Sequence, residues 1–339
     1  MNTVNTSKSV ELSVVVPMYN EGESVSQNVK RFAEVLEKLD INWELIPVND
    51  GSTDDTKEQL EKIKADNDRV HYAGYDTNRG RGYALRTGIN ASTGKYVITT
   101  EADMSYGEEI IGRLYHELIK KQVDILIASP YMPGGKLENV PFARATLSRG
   151  ANWLLKRAVS PPISTVSGMT RGYRGDAIRS IPLEEDGKEI HLEIVSKGSV
   201  LGYKFDEIPA TLAWRFSEER IQKASKLGIK TVKHIFSHLL FGFSEAPFLL
   251  FGTFGIFLFS VGLITGGYLI CQYLFASRTS GVLVGTNLTC LIFMLGGFFS
   301  FLLYFLSYQN RETKREILKV RQAIRLLKQK SEETRNTDE

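Results

Sequence analysis

LSVVVPMYNE (residues 12–21) and WELIPVNDGS (residues 43–52) are the stretches on which the fold turns. Each begins as an almost unbroken apolar run and ends in a polar turn. Runs of this kind are strands covered on both faces, the condition of a parallel sheet flanked by helices. Outward from them, residues 24–39 form a predicted helix with Phe32, Val35 and Leu36 on one face, and residues 56–65 form another. A strand at 70–74, a helix at 80–91, a strand at 96–100, a helix at 108–121 and a strand at 124–128 continue the alternation. The pattern predicts an α/β fold with a mostly parallel sheet. A further helix is expected at 143–155, ahead of the Ser160-Pro161-Pro162 break.

The 339 residues are 42% hydrophobic and carry a formal net charge of +3, too small an excess to suggest a nucleic-acid partner. The average hides a local asymmetry. Residues 247–275 and 282–308 contain no charged side chain, and each stretch exceeds the roughly 20 apolar residues that cross a bilayer. Residues 1–10 are polar and lack the apolar run of a signal peptide, so the amino-terminal part is expected to stay on the side where it is made. Lys223, Lys226, Lys230 and Lys233 precede the first apolar stretch. Arg311, Lys314, Arg315, Lys319, Arg321, Arg325, Lys328 and Lys330 follow the second, and the loop between holds only Arg278. The positive-inside rule then places both flanks in the cytosol, of a prokaryotic plasma membrane or an endoplasmic reticulum.

The expected organisation is a flexible amino terminus (1–10), a catalytic domain (11–216), amphipathic juxtamembrane helices (217–246), two transmembrane helices (247–308) and a basic cytosolic tail (309–339). Residues 217–243 mix apolar positions at helical spacing with lysines and histidines, as in a helix lying along the bilayer, a solvated linker being the alternative. In the tail, Ile317, Val320, Ile324 and Leu327 form an apolar stripe suited either to anionic lipid or to another subunit. The last residues read as disordered. Cys271 and Cys290 fall in the apolar stretches and read as packing residues. Gly262, Gly266, Gly267, Gly296 and Gly297 permit close helix packing and are compatible with a homo-oligomer.

Ligands of open α/β sheets bind beyond the carboxyl ends of the strands. Three polar segments stand there: residues 17–21, residues 49–52 and Glu101-Ala102-Asp103. No G-x-G-x-x-G follows the first strand and no G-x-x-x-x-G-K-[ST] occurs, which argues against a dinucleotide cofactor and a P-loop. Glu101 and Asp103, two apart on an expected extended segment, point the same way. Paired carboxylates suit Mg²⁺ or Mn²⁺, which also takes ligands from substrate phosphates. A solvated strand end with ordinary surface acids is the competing reading.

VVVPMYNE, VNDGSTDDT, NRGRGYALRTGINASTGKY and EADMS, in that order, resemble the family 2 glycosyltransferases of GT-A fold. SRGANWLL, TVSGMTRGYR, EIP and SKLG extend the resemblance to the dolichyl-phosphate mannose synthase and polyprenyl-phosphate glucosyltransferase branch, across most of residues 10–230. The resemblance implies an inverting, metal-dependent transfer of a hexose from a UDP- or GDP-hexose to a dolichyl or undecaprenyl phosphate at a membrane. It assigns Pro17, Tyr19, Glu21, Asp50, Arg81, Arg86 and Asp103 to the nucleotide sugar, and Glu101, Asp103 and Ser105 to the metal. Arg149, Ser167, Arg171, Arg215 and Lys226 go to the lipid phosphate, with Arg174 as added positive charge and Asp103 and Arg215 as catalytic residues. The stretch from Asn78 to Gly88 is more similar to glucosyl than to mannosyl branches, which favours UDP. Glu101 stands where the family usually has aspartate, and Thr165 where it often has an acid.

Competing functions are a processive or hydroxyl-acceptor membrane glycosyltransferase, with Asp176 or Glu193 as base, and a non-catalytic scaffold of the same fold. The Q-x-x-R-W motif and additional spans of processive synthases are not visible.

Overall fold

The computed structural model describes residues 9–140, 145–146, 148–150, 152, 163–213, 251–275 and 280–338. The predicted alternation is present. β1 (Leu12–Met18), α1 (Val25–Glu37), β2 (Trp43–Asp50), α2 (Thr56–Asp66), β3 (Ala73–Tyr75), α3 (Arg81–Ala91), β4 (Tyr96–Thr99), α4 (Glu109–Lys121) and β5 (Ile125–Ser129) follow in order. Next come β6 (Lys136–Glu138), β7 (Arg171–Arg174), α5 (Gly175–Ser180), α6 (Ile190–Val200), β8 (Phe205–Pro209) and β9 (Thr211–Ala213). The seven-stranded sheet has the order β3-β2-β1-β4-β7-β5-β8, and β6 pairs with β9 in a small second sheet.

All pairings in the large sheet are parallel except those of β7, which runs antiparallel to both β4 and β5. The sequence reading missed this strand, because the four residues Arg-Gly-Tyr-Arg show no apolar run. Its insertion separates β4 from β5. It also brings the amino end of β7, at Arg171, to the edge where the parallel strands end: Arg171 registers with Thr99 and Ile127. β3 is shorter than predicted; Val70 makes only an isolated bridge to Leu45.

β1 and β2 are buried almost throughout, as their apolar runs require. One face of the sheet packs Val14, Val16, Leu45 and Ile98 against Phe32 and Leu36 of α1 and Leu114 and Leu118 of α4. At the opposite edge from the strand ends, buried Glu44 ties three segments together. Its Oε1 accepts from the Ser13 hydroxyl at 2.6 Å, the Thr93 N–H at 2.7 Å and the Thr93 hydroxyl at 3.0 Å.

Two compact units are present. The first holds the α/β part together with Leu318 onward. The second holds α7 (Thr253–Phe275) and the beginning of α8 (Ser280–Asp338). Both helices are long and apolar enough to cross a membrane, and large side chains on them stand exposed, Phe257 at 61% and Ile264 at 72%. They meet through small residues: Cys290 Sγ contacts the Gly262 carbonyl at 3.2 Å and the Ser300 hydroxyl donates to the Phe251 carbonyl at 2.8 Å. α8 continues to Asp338, where disorder was expected. Lys328, Gln329, Lys330, Glu332 and Glu333 are all good helix formers, and a helix already under way needs no new nucleus. The expected juxtamembrane helices and the loop with Arg278 lie outside the described residues.

Replacing Glu44 by alanine leaves the Ser13 hydroxyl and the Thr93 N–H without their buried acceptor. We expect a loss of about 1–3 kcal/mol in the stability of detergent-solubilised protein, followed by thermal circular dichroism.

Candidate active site

The parallel strands deliver their polar ends to one edge, and a chain of hydrogen bonds joins them. Beyond β1, Asn20 adopts φ 53°. Its N–H donates to the Ser52 hydroxyl at 3.0 Å, and its side-chain oxygen accepts the Thr53 N–H at 2.9 Å. The Glu21 and Gly22 N–H groups donate to the Thr56 hydroxyl at 3.0 and 2.9 Å. Tyr19 beside them is 46% exposed, an aromatic face open to a ligand.

Asp50 ends β2 and is 5% exposed. Its Oδ1 accepts from the Tyr75 hydroxyl at 2.7 Å and from the N–H groups of Arg79 and Gly80 at 2.9 and 3.0 Å. Its Oδ2 accepts from the Asn78 amide at 3.1 Å. What the geometry shows for Asp50 is therefore the shaping of the segment that leads into α3. Burial, and then the bond to Asp50, push the Tyr75 phenol well above its ordinary pKa, so it stays a donor. Gly51 follows at φ +62°, with a would-be Cβ 2.3 Å from the Asn78 nitrogen. No other residue type fits so close a return of the chain.

The acid segment is a tight turn and not the extended strand end expected. β4 stops at Thr99, the Met104 N–H donates to the Glu101 carbonyl at 3.2 Å, and Met104 sits at φ 51°. Local bonding accounts for it, since the Asp103 carboxylate takes the Ser105 N–H at 3.0 Å, in competition with a strand ladder. Ser105 ties both acids, because its hydroxyl donates to Glu101 Oε2 at 2.5 Å. Arg81 Nη1 stands 3.8 Å from Glu101 Oε1. Asp103 is exposed. Among the described residues no group of three or more His, Cys, Asp or Glu side chains is arranged as a complete metal cage. Glu101, Asp103 and the Ser105 hydroxyl form an all-oxygen set that could hold a hard divalent cation with positions left for other oxygen donors.

Tyr106 lies behind the turn. Burial first, then the charge of Glu101, raises its phenol pKa, and Tyr131 and Arg171 are also within electrostatic reach. The Tyr131 hydroxyl meets the Ser148 hydroxyl at 2.6 Å, and Arg149, next in sequence, is exposed. Exposed Ser167 belongs to a loop held from several sides. Glu207 accepts the Ser164 and Thr165 N–H groups at 2.7 and 3.0 Å, Thr165 meets Ser129 at 2.6 Å, and Asn152 accepts the Val166 N–H at 3.0 Å. The Ala213 N–H donates to the Ser105 carbonyl at 2.8 Å, so β9 ends beside the acid turn. Arg215 and Lys226 lie outside the described residues.

Three assigned arginines sit elsewhere. Arg171 is fully buried and donates to the carbonyls of Gly168 (2.7 Å), His191 (3.1 Å) and Val166 (2.5 Å). It is a strut under the Ser167 loop with no face for a lipid phosphate, and burial lowers its pKa. Arg174 registers with Tyr96, at the opposite edge of the sheet, and pairs with Asp124 and Asp176. Arg86 is turned to Asp186 at 2.5 Å and to the Tyr83 ring. Glu207, Asp186 and Tyr106 went unrecognised because a strand acid, an acidic run and an apolar-looking tyrosine carry no pattern of their own. Arg171→Met, which deprives three buried carbonyls of a donor, should cost about 3 kcal/mol or more in thermal stability, where an exposed phosphate ligand would cost little.

Comparisons with known proteins bear on the family and the fold. Residues 13–181 match glycosyl transferase family 2. The dolichol-phosphate mannosyltransferase of Pyrococcus furiosus is 30% identical over 233 residues, covering 68% of this chain and 63% of that protein, so the chain matches less than two thirds of the relative's length. The polyprenol monophosphomannose synthase of Mycolicibacterium smegmatis is 27% identical over 60% of this chain and 77% of its own. The fold is shared with glucosyl-3-phosphoglycerate synthase from Mycobacterium tuberculosis, solved with Mn²⁺, UDP and glucosyl-3-phosphoglycerate, at a TM-score of 0.50 and 16% identity over 70% of this chain and 80% of that one. Through residues 13–181 the chain belongs to glycosyl transferase family 2, with the GT-A-like α/β fold, and it resembles the polyprenyl-phosphate mannose synthases.

Proposed function

We propose that this protein transfers a hexose from a UDP- or GDP-hexose to a polyprenyl phosphate at the cytosolic face of a membrane, with inversion at the anomeric carbon. The observation that carries the reading is the acid turn, two carboxylates gathered by Ser105 at the ligand edge with Arg81 beside them. The names of the two curated relatives support the acceptor class. Mg²⁺ or Mn²⁺ on Glu101 and Asp103 would neutralise the charge that grows on the departing nucleoside diphosphate. The fold relative was solved with Mn²⁺ and UDP.

The chain's own residues do the remaining work. Tyr19 and the polar ends of β1 and β2 receive the nucleoside, and Arg81 adds positive charge for the diphosphate. Arg149 and Ser167, with Arg215 and Lys226, hold the acceptor phosphate. A phosphate monoester is already anionic near neutral pH, so its attack needs positioning and charge stabilisation more than a strong base. The two acids that could serve as base for a hydroxyl acceptor are otherwise engaged. Glu193 is buried and accepts from the N–H groups of Glu184 (2.8 Å) and Glu185 (3.0 Å) and from Lys197 (2.7 Å). Asp176 is bound to Arg174 at the far edge. Attack from the face opposite the nucleotide turns an α-linked donor into a β-linked lipid phosphate sugar. A non-catalytic scaffold would not need an organised acid turn. The two apolar helices, with basic residues on both outer flanks, support an integral membrane protein whose catalytic unit and tail are cytosolic.

Purified protein given a panel of radiolabelled nucleotide sugars and polyprenyl phosphate should form labelled lipid from at least one donor, and chelation of divalent cations should abolish it. Asp103→Ala should lower the rate by about a hundredfold or more, the loss expected of a main transition-state charge stabiliser. Full activity of the variant would refute the assignment.

A further inference from the structure

Residues 182–187 join α5 to α6 and lie across the start of α3. The Asp186 carbonyl accepts the Gly82 and Tyr83 N–H groups at 2.8 and 3.2 Å. Its carboxylate takes Arg86 at 2.5 Å and Arg79 at 3.3 Å. A Cβ on Gly82 would come within 2.5 Å of the Glu185 and Gly187 carbonyls, so helix and segment touch directly. From α6, Glu193 takes the Glu184 and Glu185 N–H groups, and Lys197 bonds the Pro182 carbonyl at 2.6 Å and Glu184 at 3.0 Å. These residues are therefore part of the wall that shapes the Arg79–Arg81 segment.

The carboxyl-terminal part of α8 reaches the same segment. Arg321 Nη1 lies 2.5 Å from Glu184 Oε1. The Gln322 amide donates to the Tyr203 hydroxyl at 2.7 Å and the Ser180 hydroxyl at 3.1 Å. Arg325 donates to the Ile181 carbonyl at 2.9 Å and to the Asn90 side chain at 2.6 Å, at the end of α3. Leu318 is buried on the same face. Positions 318, 321, 322 and 325 share one side of a helix. The apolar stripe of Ile317, Val320, Ile324 and Leu327 faces away, each at least 48% exposed. The bonding between Lys197 and Glu184, reinforced by Arg321, holds the Glu184 carboxyl below its usual range. A carboxyl held low keeps this pair charged at neutral pH and releases it only in acid.

We propose that the helix running on from the second apolar stretch is a positioning element of the nucleotide-sugar site. Through Arg321 on Glu184, and through Gln322 and Arg325 on Ser180 and Ile181 just before it, the helix braces residues 180–187, and through them the first turn of α3, from which Arg81 reaches Glu101. The inference rests on the reading of that edge as the donor site. It gives the tail a role in donor binding that neither lipid contact nor subunit pairing supplies.

The test uses the full-length protein carrying Arg321→Glu with Arg325→Ala, and Arg321→Lys with Arg325 kept as the conservative control. The double variant should raise the KM for the nucleotide sugar about five- to tenfold, the change given by losing a partly exposed ion pair and neighbouring hydrogen bonds. The KM for polyprenyl phosphate should stay put. Hydrogen exchange at the Gly82, Tyr83, Glu184 and Glu185 amides should quicken, and Arg321→Lys should behave like the unaltered protein. An unchanged donor KM with unchanged exchange overturns the proposal. So does an equal rise in both KM values with a general loss of thermal stability. Faster exchange in a protein that, unaltered, binds no nucleotide would support the brace and refute the donor-site reading instead.

Discussion

The buried Asp50 carboxylate is the constraint on which the ligand edge depends. A charge taken out of water is tolerated only when its lone pairs are filled, and here four donors converge on it. Three come from residues 78–80, so satisfying Asp50 means folding that segment back over the end of β2. Gly51 permits the return because it has no side chain. The place where α3 begins follows, and with it the approach of Arg81 to Glu101 and the seating of Gly82 under residues 182–187.

A second support is built on Arg171. Sealed in the core, it pins the carbonyls of Val166 and Gly168, while Glu207 pins the N–H groups of Ser164 and Thr165. The Ser167 loop is thus gripped from below by a cation on its acceptors and an anion on its donors. Tyr106 follows the acid turn directly, its hydroxyl lies beside Gly168 of this loop, and both Glu101 and Arg171 are within its electrostatic reach. The ligand edge thus rests on two separate supports, one around Asp50 and one around Arg171, as the proposed transfer between two phosphorylated substrates would require.

The parallel strands and the helices between them were legible because burial writes itself as uninterrupted apolar runs and as periodicity, and the two apolar helices because each runs for more than 20 residues without a charge. β7 was illegible, since it is short and its glycine and arginines are placed by tertiary contacts. The positions of Asp50, Glu101 and Asp103 followed from strand ends. Their geometry did not, because the turn at Glu101 is made by Ser105 and Asp103 themselves. The side chains of Arg171 and Arg86 could not be distinguished from ligand-binding arginines by motif, because burial and the pairing with Asp186 arise only when distant segments meet. The tail was read by its apolar stripe, whereas the face that docks is the polar one carrying Arg321, Gln322 and Arg325.

The central claim is that the nucleophile is a lipid phosphate, already charged, and that the protein supplies place and counter-charge rather than a base. The most direct measurement compares polyprenyl phosphate with the matching polyprenol as acceptor, at equal concentration in the same detergent, with sugar label followed into the organic phase. The account predicts labelled lipid from the phosphate alone, across neutral pH. Equal transfer to the alcohol, or transfer to the alcohol only, would contradict it.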